Sequence, residues 1–262
     1  MLEAPPAERG QMIRDELPTG WSPTGSTAAE RELDNARVLS GIINTVISDY
    51  INLKIVEDNS RTGGSILNPV NMEVELTRMM TEFAVETESS IDVLFSEMDS
   101  FLGADGRNIY ELSGTRGLAL SNKITRHIST KMGLLWERLA SLSPYAINPE
   151  EEFGNLKIKG IDLIGLNSTT GTLEYMQLKT LKATLTGSQT GRSVTELNLH
   201  NDPVFCAALD APRNWTFPNI PSIPRVSGAG FWSRIGMDYQ QVLRLAIELV
   251  ERLDAYWTGL LR

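Results

Sequence analysis

The sequence predicts an α/β protein with a helical N-terminal region. Apolar residues recur at helical spacing over most of the first 142 residues, the period then changes to that of a β-hairpin, and an amphipathic helix follows near the C-terminus. Helices followed by a hairpin, a strand and a helix are typical of an α/β core with a helical extension. A chain of 262 residues is long enough for one large domain or two small ones.

The composition is that of an ordinary globular protein. The chain is 41% hydrophobic and 22% charged, which excludes collagen-like, low-complexity and wholly disordered proteins. It contains no apolar run of roughly 18 residues and no basic segment followed by an apolar stretch at its start, so we expect a cytoplasmic protein without a membrane span. A single cysteine excludes an internal disulfide and a thiolate-based structural zinc site, and the presence of only two histidines disfavours a multi-histidine metal site.

The acidic charge is concentrated in the N-terminal part of the chain. The net charge is −9, but residues 1–110 hold 8 basic and 19 acidic side chains, whereas residues 111–200 hold 10 basic and 8 acidic ones. The middle segment is therefore locally basic and can face phosphate groups, because salt limits the reach of each charge to about 10 Å.

The first part of the chain predicts a tail and a capped helix. Residues 1–28 are rich in Pro, Gly and Ser without a periodic pattern, so we expect a flexible tail. Thr27, followed three residues later by Glu30, is placed to cap a helix from Ala28 to about Leu53.

Two more helices are predicted, from about Met72 to Leu102 and from Leu118 to Leu142, the first ending at the Gly103–Gly106 cluster. We assign residues 29–112, which include the first of these, to a helical N-terminal region. Residues 113–262 are expected to form the core, in one compact unit with the helical region.

After Pro149 the pattern changes to that of strands. The Asn-Ser-Thr-Thr-Gly turn at residues 167–171 joins strands at Leu156–Leu166 and Thr172–Leu181 into a hairpin. Three elements are expected downstream: a short helix or turn from about Val194, a buried strand at Val204–Leu209 and a helix at Asp238–Leu261.

The hairpin brings together side chains of opposite charge. Its symmetric register pairs Asp162 with residue 176 or 177, and Gln177 and Lys179 share one face of the second strand. Charged groups within apolar flanks are costly unless they are paired or bound to a cation. Asp162 is therefore a candidate ligand for an oxygen-preferring divalent ion, most naturally Mg²⁺, with Lys179 beside the water bound to that ion. Glu137, near the end of the preceding helix, is a candidate second ligand.

These residues resemble a known family. Glu137, the segment Gly160-Ile161-Asp162-Leu163, and Gln177-Leu178-Lys179 look like the PD-(D/E)XK nuclease superfamily in its Q-x-K form. The resemblance covers roughly residues 130–210. It implies a mixed central sheet flanked by helices, in which the hairpin carries the catalytic residues.

The resemblance also implies roles. Asp162 would be the principal magnesium ligand, Gln177 a ligand or a group that positions water, and Glu137 a ligand directly or through water. Lys179 would orient or help deprotonate the attacking water. Gln177 stands where the family usually has an acid, and a neutral amide binds magnesium more weakly than a carboxylate does, which disfavours a full two-metal site. Either Glu137 or Glu174 would supply the second charge, and Glu174 has the parity of the opposite strand face.

The polar segment after the second strand supplies candidate DNA contacts. Lys182, Gln189 and Arg192 lie in it, either as phosphate or base contacts or as part of a solvated loop. His127 and His200 are interpreted as structural or surface residues, and Cys206 as a small buried hydrophobic residue, rather than as catalysts.

The resemblance implies a magnesium-dependent, sequence-specific endonuclease acting on double-stranded DNA, similar to homodimeric type II restriction enzymes. Two alternatives stay open. One is a catalytically inactive DNA-binding or protein-interaction module on a similar scaffold, and the other is a nuclease that acts on RNA or on branched or modified DNA.

Overall fold

The computed structural model describes residues 3–97, 100, 102 and 107–260. The chain divides into two compact units. Unit 1 comprises residues 1–72 and 136–240, and unit 2 comprises residues 73–135 and 241–262. The boundary expected at residue 112 falls inside unit 2.

The described residues form helices and strands, which confirms the α/β class. The helices are α1 Pro6–Asp15, α2 Ala28–Asn59, α3 Pro69–Ser96, α4 Ile109–Leu112, α5 Arg116–Ala140, α6 Pro149–Glu152, α7 Gly187–Leu197, α8 Ala229–Trp232 and α9 Tyr239–Leu260. The strands are β1 Ala146–Ile147, β2 Leu163–Leu166, β3 Leu173–Lys179, β4 Pro203–Ala207 and β5 Arg225–Ser227. Within the part of the chain that is described, no helix combines the length and the apolar character needed to cross a bilayer.

Unit 1 is built on one mixed sheet with strand order β1-β2-β3-β4-β5. β2 is antiparallel to both of its neighbours, β1 and β3, whereas β4 is parallel to β3 and β5 is parallel to β4. The chain makes the parallel connection from β3 to β4 through α7, as parallel pairing requires a crossover.

The predicted hairpin is confirmed, with a shorter first strand. Leu166 pairs with Leu173 across the turn, and the Gly171 N–H donates to Asn167 O at 2.8 Å. The strand expected from residue 156 begins only at Leu163, because residues 156–162 follow an irregular path with a turn at Gly160. Gly160 has a φ of +79°, a left-handed conformation that favours glycine and is incompatible with a regular strand at this position.

The N-terminal segment is more ordered than expected. The prediction of a tail without periodic structure is wrong for residues 6–15, which form α1. Ile13 on this helix is 1% exposed and belongs to the core of unit 1, and the Arg9 guanidinium forms an ion pair with Glu152 at 3.1 Å. Tertiary contacts therefore stabilise a helix in a segment whose composition alone is typical of a loop.

The predicted long helices are confirmed, but some of them begin or end at other residues than expected. Thr27 and Glu30 form the expected capping box, but α2 continues six residues past Leu53 to Asn59. α3 ends at Ser96, and the glycine cluster at 103–106 that was expected to end it lies outside the described residues. α9 matches the predicted C-terminal helix, and β4 matches the predicted buried strand.

The segment between β3 and β4 differs most from the prediction. The expected polar loop with a short helix from about Val194 is instead the eleven-residue helix α7, which begins at Gly187. The Gln189 side chain accepts a hydrogen bond from the Thr186 N–H at 2.9 Å, and this contact satisfies a donor at the helix start.

The main core of unit 1 lies between α2 and one face of the sheet. Ile43, Ile47 and Ile51 of α2 pack in one cluster with strand residues that include Ile164 and Tyr175. Side chains alternate between the two faces of a strand, so Asp162, Gln177 and Lys179 lie on this same face, beyond its apolar centre. Unit 2 has its own cluster, formed by Ile91, Leu120 and Ile124 with partly buried residues of α9.

Candidate active site

The hairpin places Asp162 and Gln177 opposite each other. Leu163 pairs with Met176, and the Asp162 N–H donates to Met176 O at 3.0 Å, so the pairing continues one residue beyond β2. Lys179, two residues beyond Gln177, lies on the same strand face. The structure thus brings together the three polar residues that the sequence placed on the hairpin.

Asp162 and Lys179 form an ion pair at the end of the sheet. Asp162 Oδ2 lies 3.6 Å from Lys179 Nζ and accepts a hydrogen bond from the Leu178 N–H at 2.8 Å. The Asp162 and Lys179 side chains remain 24% and 28% exposed, respectively. The carboxylate is therefore fixed in place while the pair stays accessible from solvent.

The pKa of Asp162 is raised above its usual value. Burial of the carboxylate is the largest cause, and it outweighs the opposing effects of Lys179 and of the Leu178 N–H. The negative charge of Glu196 adds to the increase. A bound cation would stabilise the ionised form of this carboxylate, which burial disfavours.

Glu137 is brought to the site by the last turn of α5. The neighbouring Trp136 is fully buried and its indole N–H donates to Thr180 Oγ1 at 3.2 Å, which fixes the helix end beside the end of β3. Glu137 Oε2 accepts a hydrogen bond from Asn148 Nδ2 at 3.3 Å. Asn148 also caps α6, because its Oδ1 accepts from the Glu150 N–H at 2.9 Å.

The surroundings of Glu137 raise its pKa to about 8. Burial is the first cause, the charge of Asp162 adds to it, and Lys179 opposes both. Glu137 is therefore close enough to Asp162 and Lys179 for their charges to act on it. Near neutral pH Glu137 holds a proton that a bound cation would displace.

Gln177 supplies an oxygen atom without a partner. The residue is 6% exposed, and among the described residues its buried Oε1 has no hydrogen-bond donor. A buried amide oxygen that lacks a partner is costly, and such an atom is retained where a ligand completes its coordination.

The donor set of the site suits magnesium, although it is not an all-acidic one. Within the described ranges no three His, Cys, Asp or Glu side chains lie close enough together to hold a metal ion. The candidate ligands are instead two carboxylates, Asp162 and Glu137, and Gln177 Oε1, which has no partner in the described part of the chain. Oxygen donors of this kind are those that Mg²⁺ prefers, and Mg²⁺ retains several waters when it has few protein ligands.

The three candidate DNA contacts each have a partner within the protein. Lys182 Nζ lies 2.6 Å from Asp210 Oδ1, Gln189 caps α7, and Arg192 Nε lies 2.8 Å from Glu196 Oε1. Gln189 and Arg192 lie on a helix rather than in the expected loop. Arg192 is 65% exposed, so its guanidinium remains available to solvent.

The remaining candidates are engaged elsewhere. Glu174 is on the opposite face, where it accepts hydrogen bonds from Arg234 and from Asn167. His200 stacks on Tyr175 with ring centroids 5.1 Å apart, and burial lowers its pKa to about 4, so it is neutral. Burial raises the pKa of the Cys206 thiol and also lowers that of His127.

Sequence analysis missed two contributors to the site. The sequence showed Asn148 only as the residue before Pro149. Its contact with Glu137, 11 residues earlier in the chain, has no local sequence pattern that would predict it. Glu196 lies on α7 and is 5% exposed, and a Cβ at Gly160 would lie 2.5 Å from Glu196 Cβ. An Arg192–Glu196 pair at helical spacing was the only available signal for this acid.

No protein-family model matches the sequence, and a search of the curated proteins finds no significant match.

Proposed function

We propose that this protein is a magnesium-dependent endonuclease that hydrolyses phosphodiester bonds in double-stranded DNA at specific sequences, in the manner of type II restriction enzymes. The main support is the arrangement at the hairpin. Asp162 and Lys179 form an accessible pair at 3.6 Å, and opposite Asp162 lies Gln177, whose Oε1 has no hydrogen-bond partner among the described residues.

The proposed family core also fits the architecture. A mixed sheet lies between helices, and its hairpin carries the Asp and the Q-x-K residues in register. Glu137 approaches the same end of the sheet from the preceding helix. These features are consistent with a PD-(D/E)XK core.

The proposed mechanism assigns a role to each side chain. Asp162, Glu137 and Gln177 Oε1 would hold the magnesium ion, and a bound magnesium ion makes a water molecule more acidic and offsets charge on a phosphate. Lys179 places its ammonium beside Asp162, where it can donate a hydrogen bond to the attacking water and to a non-bridging phosphate oxygen. Asn148 orients Glu137 through its amide.

We also propose that the active form is a homodimer. Cutting both strands of a two-fold symmetric site requires two active centres, and a two-fold dimer supplies them in matching orientation.

A substrate panel tests the proposed function. Supercoiled plasmid, linear duplex DNA, single-stranded DNA and RNA are each incubated with the protein and magnesium, and with a chelator in parallel. We expect cleavage of duplex DNA only, and no cleavage with the chelator. Specific binding of duplex DNA without cleavage under any divalent ion would instead indicate an inactive DNA-binding module.

A further inference from the structure

A cavity of about 410 Å³ lies in unit 1, and one of the residues in its wall belongs to the chain segment that leads to Asp162. Its lining residues come from the start of α2, from the segment before Asp162 and from α7: Ala29, Glu32, Leu33, Lys159, Arg192, Thr195 and Glu196. The volume is in the range of pockets that bind small organic molecules, about 300–1,000 Å³.

Two features connect this cavity with the segment that carries Asp162. The first is Lys159, which lines the cavity and precedes Asp162 by three residues. Glu196 packs so closely against Gly160 that a Cβ there would lie 2.5 Å from Glu196 Cβ and 3.0 Å from its Oε2. The cavity is therefore continuous with the chain segment that leads into the active site.

The cavity wall offers three kinds of contact. Ala29 and Leu33 provide an apolar surface, Lys159 and Arg192 provide cations, and the carboxylate of Glu196 accepts hydrogen bonds. An inorganic anion would use only the cations. A nucleotide uses all three, because it combines a flat apolar ring, a phosphate and, in cytosine or adenine, an amino group that donates to a carboxylate.

Both cations in the wall are paired with carboxylates. Lys159 Nζ lies 2.6 Å from Glu32 Oε2, and the Glu32 side chain is 57% exposed, so a phosphate can replace this partner at little cost. Arg192 Nε lies 2.8 Å from Glu196 Oε1, and the Glu196 side chain is only 7% exposed, so this pair is kept. The Arg192 guanidinium has four further N–H donors for a phosphate, and Glu196 can accept from a ligand through its other oxygen, Oε2.

We infer that this cavity binds one nucleotide of the substrate strand next to the scissile phosphate, and that it favours a base with an exocyclic amino group. Lys159 and Arg192 contact the phosphate, Ala29 and Leu33 contact the base, and Glu196 accepts from the amino group. The inference rests on the proposed function in taking a DNA strand as the natural ligand.

Nucleotide binding without metal tests this inference. The full chain is titrated in chelator with dCMP, dUMP and inorganic phosphate, and binding is measured by calorimetry. We expect dCMP to bind about tenfold more tightly than inorganic phosphate and about fivefold more tightly than dUMP, which has a carbonyl in place of the amino group. Equal affinities for dCMP and phosphate would overturn the inference.

A matched pair of variants locates the binding site. Ala28 and Ala29 are adjacent exposed residues in the first turn of α2, and only Ala29 lines the cavity. We expect Ala29→Trp to weaken dCMP binding by about tenfold or more and Ala28→Trp to change it by less than about twofold. An equal effect of both variants, or of neither, would exclude this cavity. Arg192→Gln, at an exposed position, checks the phosphate contact independently and should weaken dCMP and phosphate binding alike.

The inference and the proposed function can fail separately. If the protein cuts DNA but Ala29→Trp binds dCMP as the wild type does, the cavity assignment is wrong and the nuclease proposal stands. If dCMP binds in the cavity and no DNA is cut under any divalent ion, the nuclease proposal is wrong and the binding site remains.

Discussion

Lys179 Nζ lies 3.6 Å from Asp162 Oδ2, the oxygen that also accepts the Leu178 N–H at 2.8 Å. A single carboxylate oxygen is thus held by the backbone of one strand and by the side chain of the next residue along it. This relationship limits the positions that a cation and a water molecule could occupy beside Asp162.

Asp162→Asn should abolish cleavage while retaining DNA binding. The change removes the charge that would hold magnesium but keeps the size of the side chain, so we expect the cleavage rate to fall roughly 10³-fold. Steady-state cleavage of a labelled duplex measures the rate, and a gel-shift assay in calcium measures binding. Glu150→Gln is the matched control, because Glu150 is 51% exposed and pairs only at 3.8 Å with Lys157. Equal losses in the two variants would contradict a special role for Asp162.

Glu137 should make the metal-free protein less stable as pH rises. Its pKa is about 8 in the fold and 4.5 in a model compound, so the fold favours the protonated form. That stabilisation is complete below about pH 4.5 and is lost as pH rises through about 8. Relative to the wild type, Glu137→Gln should therefore gain free energy of unfolding between about pH 5 and pH 8, by roughly 1–3 kcal/mol. Urea denaturation in chelator measures this difference. A difference that does not change with pH would exclude the raised pKa.

Asn148 should set the pH dependence of activity through Glu137. Asn148→Asp keeps a good cap for α6 but places a carboxylate where an amide now donates to Glu137 at 3.3 Å. We expect the acidic limb of the pH–activity profile to move up by about one unit, because a like charge raises the pKa of Glu137 further. Asn148→Ser also retains the cap and should move the profile far less. Identical profiles for the two variants would contradict this role.

Gln177→Leu should raise stability and lower activity. The change replaces a buried amide oxygen, which has no partner among the residues that the structure describes, by an apolar group of similar size. The free energy of unfolding should therefore rise by about 1 kcal/mol. The same change removes a candidate ligand, so cleavage should fall by roughly 10–100-fold. Thermal unfolding in chelator measures the change in stability, and the cleavage assay measures the change in activity. Loss of both stability and activity would indicate a structural role for Gln177.

The part of the site that lies on the hairpin could be predicted from local sequence rules. The turn at 167–171 sets the register of the hairpin, and the register alone places Asp162 opposite Gln177. Strand alternation then puts Lys179 on the same face. These relations extend over fewer than about 20 residues and depend on period and turn chemistry.

Relations that depend on tertiary packing could not be predicted in the same way. The contact from Trp136 to Thr180 spans 44 residues, and no periodic pattern in either segment indicates it. α1 was missed because a ten-residue helix that begins with proline has little intrinsic stability and is held through contacts such as that of Arg9 with Glu152. α7 was missed because its Gly, Ser and Thr residues have low helix propensity, although Thr186 and Gln189 had the spacing of a capping box.

The most direct measurement is the digestion of a bacteriophage genome with magnesium by the wild type, Lys179→Met and Lys157→Met. Lys157 is 75% exposed and lies outside the site, so it controls for the loss of one lysine. The account predicts a discrete set of fragments from the wild type and from Lys157→Met, and intact DNA with Lys179→Met. Intact DNA with the wild type under every divalent ion, or the same fragments from Lys179→Met, would contradict it.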